Sequence, residues 1–323
     1  MRRKSFAALA FAGCVLLGFA PTASAQDYPT RPVKIVIAFS PSGAIDVLGR
    51  FIAQHLSEMW GQQIVVENRP GGSGNIGAAA AAQAAPDGYT LHFGAQTMAT
   101  NVTLSPTTAF DPVNSFEPIM LVATAQEVFT VAVQTPFKSV QDVIDYAKAN
   151  PGKLNYGSVG IGSSAHLATV LFMDATGVRM QHVPYSQMSQ GISDVLTGRT
   201  EVWFTTFSGP LPHIKSGKIR AFAVTGPKRA TLLPDLPTFT EIGIRMIGDE
   251  SSWYAFFAPK GTPKPIIDKI NRDLKTVLAM PDMKEREAQL GYRFIGGSPE
   301  ELAAFLKRDI AKWQDIGNKG LFK

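Results

Sequence analysis

Short runs of β-branched and aromatic residues recur along the chain: VKIVIAF at 33–39, QQIVVE at 62–67, YTLHFG at 89–94, FTVAVQ at 129–134, KLNYGSV at 153–159, EVWFTTF at 201–207 and IRAFAVTG at 219–226. Between them lie segments whose apolar residues fall at helical spacing. This alternation predicts an α/β fold with mostly parallel sheets flanked by helices. The helix punctuation agrees. Gly177, Gly198 and Gly217 follow apolar-spaced segments as stops, Thr262-Pro263 marks a start, and Ser298-Pro299-Glu300-Glu301 carries a capping box. From Pro263 to Ile316 the pattern is nearly all helical, with Ile266, Ile267, Ile270, Leu274, Val277 and Leu278 on one face. That stripe is a core face.

The first 25 residues read as a leader. MRRK is basic, FAALAFAGCVLLGFA is apolar but too short to span a bilayer, and Ala23-Ser24-Ala25 fits signal peptidase cleavage, so the chain is expected to be exported and the mature form to begin near Gln26. A twin-arginine reading of Arg2-Arg3 and a lipoprotein site at Cys14 are the alternatives. Of 31 basic and 26 acidic residues, three basic and no acidic ones lie in the leader, so 28 face 26 in the mature chain. The basicity thus belongs mostly to the leader, and nothing points to nucleic acid. Cys14 is the only cysteine, so the exported chain has none for disulfides, thiolate chemistry or a cysteine metal site.

The candidate chemistry lies in three bends. IVIAFSPSGAIDVLGR at 35–50 runs from a strand through small residues into a helix, which aims backbone N–H groups and the positive helix end at the space above the strand. That arrangement suits an anion; an ordinary turn with Ser42 or Gly43 as N-cap is the plainer alternative. Tyr156-Gly157-Ser158-Val159-Gly160-Ile161-Gly162-Ser163-Ser164-Ala165-His166 repeats the design, and Pro184-Tyr185-Ser186-Gln187 repeats it before a helix ended by Gly198. Ligands gather beyond the carboxyl ends of parallel strands, so three such bends point to one shared cleft. Gln96-Thr97-Met98-Ala99-Thr100, after YTLHFG, is a further candidate wall. Gly72-Ser73-Gly74-Asn75-Ile76-Gly77 matches the dinucleotide fingerprint, but no ribose-binding acid ends the next strand, so no cofactor is expected and these glycines are read as a close backbone approach.

The order and spacing of YPTRPVKIVIAFSPSGAIDVLGR, VENRPGGSGNIGAAAAAQAAPDGYTL, FEPIMLVAT, NPGKLNYGSVGIGSSAHLA, HVPYSQ, SGKIRAFAVTGPKRATLLPDLPTFTEIG and WYAFFAPKGTP resemble the Bug family, the periplasmic solute-binding receptors of tripartite tricarboxylate transporters. The resemblance covers essentially the whole mature chain. It implies a two-lobed periplasmic-binding-protein fold of type II-like organisation, joined by crossover strands. One lobe would comprise residues 26–126 plus 247–323, the other 127–246. It further implies a monomer that captures a small carboxylate and passes it to one large and one small integral-membrane subunit. The ligand residues implied are Ser42, Gly43, Ala44, Ile45 and Asp46 in the first bend, Gln96, Thr97 and Met98 in the wall, and Ser158, Gly160, Gly162, Ser163 and His166 in the second bend. Tyr185, Ser186 and Gln187 in the third, and Thr205, complete the set. This chain departs from the family pattern P-G-G-G-(T/S)-D at Ser42, Ala44 and Ile45, from Y-K-G at Ser186 and Gln187, and from an Asp after EVWF at Thr205. The missing acid at Thr205 leans the expectation toward a plain or aromatic acid over an amino acid.

Single residues have quieter readings as well. His166 fits packing or capping of a first helical turn, and Asp46 fits neutralising another. Trp253 and Tyr254 either wall the cleft or pack at the hinge. The other histidines form no H-x-x-x-H pair, so no metal is expected. An exported hydrolase acting on an acidic small molecule is the rival class, but the chain has no G-x-S-x-G elbow.

Overall fold

The computed structural model describes residues 28–41, 43–105, 109–246 and 252–319; the expected leader and Ser42 lie outside them. Along the first stretch, β1 (Val33–Ile37), α1 (Ala44–Trp60), β2 (Ile64–Asn68), α2 (Asn75–Ala82), β3 (Thr90–Ala95), α3 (Thr97–Leu104) and β4 (Phe116–Ala125) follow one another. The middle contains β5 (Val128–Ala132), α4 (Val140–Ala149), β6 (Asn155–Ser158), α5 (Ser164–Thr176), β7 (Gln181–Pro184), α6 (Met188–Thr197), β8 (Val202–Thr205), α7 (Leu211–Lys215) and β9 (Ile219–Val224). The last stretch contains β10 (Ser252–Pro259), α8 (Lys264–Leu278), α9 (Pro281–Leu290), β11 (Tyr292–Gly296) and α10 (Pro299–Asn318).

These strands form two sheets, ordered β11-β4-β10-β3-β1-β2 and β7-β6-β8-β5-β9. All seven apolar runs named above became strands. The expectation of mostly parallel sheets needs correcting, because both sheets are mixed. β1 pairs in parallel with β2 and β3, and β6 with β7 and β8, whereas β10, β4 and β11 pair antiparallel with one another and β10 with β3. β5 is antiparallel to both β8 and β9. The cause is the crossover. Only Gln126 and Glu127 separate β4 from β5, so the chain passes straight from the carboxyl edge of one sheet into the same edge of the other, and β5 runs away from the edge at which β8 and β9 end.

The helix signals held. Gly177 and Gly198 adopt left-handed caps, Ser298 and Glu301 form the reciprocal capping box, and the α8 stripe of Ile267, Ile270, Leu274, Val277 and Leu278 is buried in the core of the first sheet. The nearly all-helical reading of the C-terminal stretch is interrupted by β11, whose pairing to β4 puts Tyr292 opposite Ala125. Its five residues carry no hairpin or period signal strong enough to outweigh the helices on either side. The fingerprint glycines do make a close approach. A Cβ on Gly77 would lie 2.7 Å from the Cα of Ala38 and 2.8 Å from the carbonyl of Arg69.

Candidate ligand cleft

Strand direction brings the bends together. β1, β3 and β4 all end on one edge of the first sheet, and β6, β7, β8 and β9 all end on one edge of the second. The Gln126-Glu127 link belongs to both edges, so the two carboxyl edges meet there. Two hydrogen bonds fasten this joint to β9: Glu127 N–H donates to Thr225 Oγ1 at 2.8 Å, and Thr225 N–H donates to the Glu127 carbonyl at 2.8 Å. The Gln126 amide donates to the carbonyls of Thr225 and Lys228, both at 2.6 Å.

The first bend ends in α1 with Gly43 as N-cap at φ −73° and ψ 165°, and no side chain caps the helix. Its shape is held from behind. Asp46 accepts from Arg50 Nε at 3.0 and 3.1 Å and from Asn68 Nδ2 at 2.8 Å, while the same Asn68 amide donates to the Phe39 carbonyl at 3.0 Å. Asp46 therefore braces the bend. Ile45 is buried against the strands beneath it, and Tyr292 of β11 donates its hydroxyl to the Ala44 carbonyl at 2.9 Å. That contact spans 248 residues of sequence.

The second bend satisfies itself. Ser158 Oγ accepts from Gly160 N–H at 3.0 Å, lies 3.1 Å from the Gly160 carbonyl and 2.7 Å from His182 Nε2. Ser163 caps α5 by accepting from the His166 N–H at 3.4 Å, and donates to the Gly160 carbonyl at 2.7 Å. His166 accepts from Gly162 N–H at 3.3 Å. Burial, with the neighbouring His182 ring adding to it, pushes the His166 pKa down to about 4, and burial also lowers His182. Ser158 and His182 stand at the distance of a nucleophile and its base, but Ser158 is fully buried and its hydroxyl is held inside the loop. The bend is seated across the cleft on α3: Thr100 Oγ1 donates to the Gly162 carbonyl at 3.3 Å, and a Cβ on Gly162 would come 3.1 Å from Leu104.

In the third bend Ser186 and Gln187 are exposed, whereas the Tyr185 ring stacks on Trp203 and its hydroxyl meets Asp194 at 2.9 Å and Thr200 at 2.6 Å. Thr205 is buried with its hydroxyl on the Thr206 carbonyl at 3.3 Å. The wall segment is helix α3: Thr97 and Met98 are buried, and Gln96 sits at its start with neither amide atom paired. Trp253 is bonded to Asp309 inside the first sheet's packing, while Tyr254 lies beside Ser252 at the joint. Sequence reasoning placed Thr100 in the candidate wall and missed Asn101, Glu127 and Thr206. Only Glu127 carried a signal, as the sole charged residue between 118 and 137.

Buried polar side chains with unsatisfied atoms lie along these carboxyl edges: Gln96 after β3 is 2 % exposed and Thr206 after β8 5 %, neither with a partner, and Glu127 at the joint is 0 % exposed with only the Ser164 hydroxyl beside its carboxyl. Unpaired buried groups are costly and mark places where a further partner is expected. A cavity of about 380 Å³, walled by Thr124, Gln126, Lys228, Lys284 and Arg293 among others, adjoins the Gln126 side of the joint, and none of its walls comes from the three bends. Among the described residues no cluster of three metal-ligating side chains occurs, and no helix is long and apolar enough to cross a membrane.

Two mixed sheets joined by extended crossovers, with strand-to-helix bends facing one another, define a solute-binding receptor of the two-lobed class. Residues 48–320 match the tripartite tricarboxylate transporter family receptor, and the chain belongs to that family. It is 32 % identical to the protein BugT of Bordetella pertussis over 301 residues, 93 % of this chain and 92 % of that one. The periplasmic binding protein BugD superposes with a TM-score of 0.84 at 34 % identity, over 90 % of this chain and 98 % of its own. An R. palustris protein with adipate gives a TM-score of 0.85 at 36 % identity, again over 90 % of this chain and 98 % of its own. The chain is thus a periplasmic solute-binding receptor of the Bug type, and not an enzyme.

Proposed function

We propose that this protein captures a small organic acid between the first bend and the facing second and third bends, and delivers it to a large and a small integral-membrane subunit. The carrying observation is the meeting of both carboxyl edges at Gln126-Glu127, with uncapped α1 on one side and unpaired Gln96 and Thr206 along those edges. The relative with adipate supports a carboxylate as the ligand's anionic end. In this reading the leader of 25 residues is removed on export, the receptor acts as a monomer, and the lobes comprise residues 26–126 plus 247–323 and residues 127–246. Backbone N–H groups near Gly43 and Ala44 hold the carboxylate, since the Ser158 and Ser163 hydroxyls are engaged within their own loop. A hydrogen bond to a charged group contributes about 1.5–3 kcal/mol, so neutralising the acid is costly.

The test is a thermal-shift screen of aliphatic and aromatic carboxylic acids, followed by calorimetry of the best acid against its methyl ester and primary amide. The acid is expected to bind at least about tenfold more tightly than either, from the loss of one such bond. Equal binding by the ester would reduce the first bend to a turn.

A further inference from the structure

Glu127 has no part in holding a carboxylate, and its position needs a reason. It lies in a link shared by both carboxyl edges, and the register that pairs Val128 with Thr205 sets it opposite Thr206. It is fully buried, and the neutral Ser164 hydroxyl is the neighbour at its carboxyl oxygens, which make no other hydrogen bond. The Ser164 hydroxyl, in the first turn of α5, favours the carboxylate form, but burial outweighs it and pushes the acid up to about 7. Lys228, Arg229, Lys284 and Arg293 line the cavity on the Gln126 side of the joint, but none of them bears on the Glu127 acid, and the tyrosines and histidine of the joint are neutral near pH 7. Tyr254 in β10 and Tyr292 in β11 are raised by burial, and His166 in α5 is held at about 4. A carboxylate enclosed without a counter-charge is unfavourable unless a cation meets it.

We infer that Glu127 reads a positively charged nitrogen on the ligand, so that the captured acid is a zwitterion with its carboxylate toward the first bend and its ammonium toward the joint. This deepens the receptor reading and rests on it. It reverses the lean toward a plain acid drawn from Thr205: the acid missing there is supplied one strand away, at the start of β5. Glu127 would also discriminate against a plain dicarboxylate, because a second ligand anion beside it is repelled unless Glu127 takes up a proton.

The experiment pairs each plain acid of the screen with its charged amino counterpart: succinate with L-aspartate, glutarate with L-glutamate, adipate with 2-aminoadipate, and benzoate with 4-(aminomethyl)benzoate. Calorimetry on the wild-type receptor is expected to show at least one amino acid of these pairs binding about tenfold or more above its plain partner. Glu127→Gln, which keeps the shape and removes the charge, is expected to erase that preference, weakening the amino acid and, where the plain partner is a dicarboxylate, strengthening it. Repeating the wild-type titration at pH 7 in phosphate and in Tris reads proton linkage without any variant. The ammonium holds Glu127 ionised, so net proton release is expected. Plain acids binding as tightly as their amino partners, proton uptake on binding, or a preference surviving in a folded Glu127→Gln protein would each overturn the inference and leave the receptor reading standing. Failure of every acid to bind would remove the receptor reading itself, and this inference with it.

Discussion

The first and second bends share a sequence design, strand to small residues to helix, yet they are built differently. At the first, Gly43 has φ −73°, and a Cβ there would meet nothing closer than the Ser40 carbonyl at 3.6 Å. At the second, Gly160 and Gly162 sit at φ +115° and +80°, where a side chain is strained. The first leaves its helix uncapped and is held by side chains behind it, Asp46, Asn68 and Tyr292. The second turns its own serines inward and rests on α3. One bend leaves its helix start without a side-chain cap, while the other engages its serines within its own loop.

That contrast can be broken most strongly by acid. His166 is depressed to about 4 in the fold, so it binds fewer protons folded than unfolded between pH 6.5 and 4. Stability is therefore present above the unfolded value of about 6.5 and falls as pH drops toward 4, by up to roughly 3 kcal/mol for this group. His92 in β3, also held at about 4 by burial, contributes with the same sign. Urea unfolding at pH 7 and pH 4.5 is expected to show a smaller difference in His166→Gln, which keeps an acceptor for Gly162 but cannot ionise. An unchanged difference would remove the second bend as an acid-sensitive element.

Glycine substitution sharpens the comparison next. Gly162→Ala forces a side chain into the left-handed region and toward Leu104, and is expected to cost about 1–2 kcal/mol. Ser163→Ala removes the α5 cap and the bond to the Gly160 carbonyl, with an expected cost of about 1 kcal/mol. Gly43→Ala has both an allowed φ and room, and is expected to change stability by less than about 0.5 kcal/mol. Chemical denaturation of the three variants decides. A Gly43→Ala cost matching that of Gly162→Ala would erase the distinction between the bends.

Asp46 and His166 each carry two readings, a ligand contact and a local structural role. Both stand where a family pattern implies ligand contact, and both are engaged in holding a helix start. Their short-range partners lie four residues away, Arg50 for Asp46 and Gly162 for His166, so a local reading reached those roles. The supports that shape the first bend were beyond such a reading, because Asn68 and Tyr292 approach it through sheet register.

By itself the sequence determined the alternation of strands and helices, the caps at Gly177, Gly198 and Ser298, the close approach at Gly77, and the family. Each of these is encoded within a few residues, by periodicity, by a backbone angle that only glycine adopts cheaply, or by a motif of fixed spacing. Tertiary structure alone decided that both sheets are mixed, that β11 interrupts the C-terminal helices, and that Thr100 of α3 meets Gly162. It also decided that Glu127 is buried opposite Thr206 where the two sheets meet. Those outcomes depend on which strands pair and in what register across long stretches of chain, and pairing energy is realised only when distant segments meet, so no local pattern carries it.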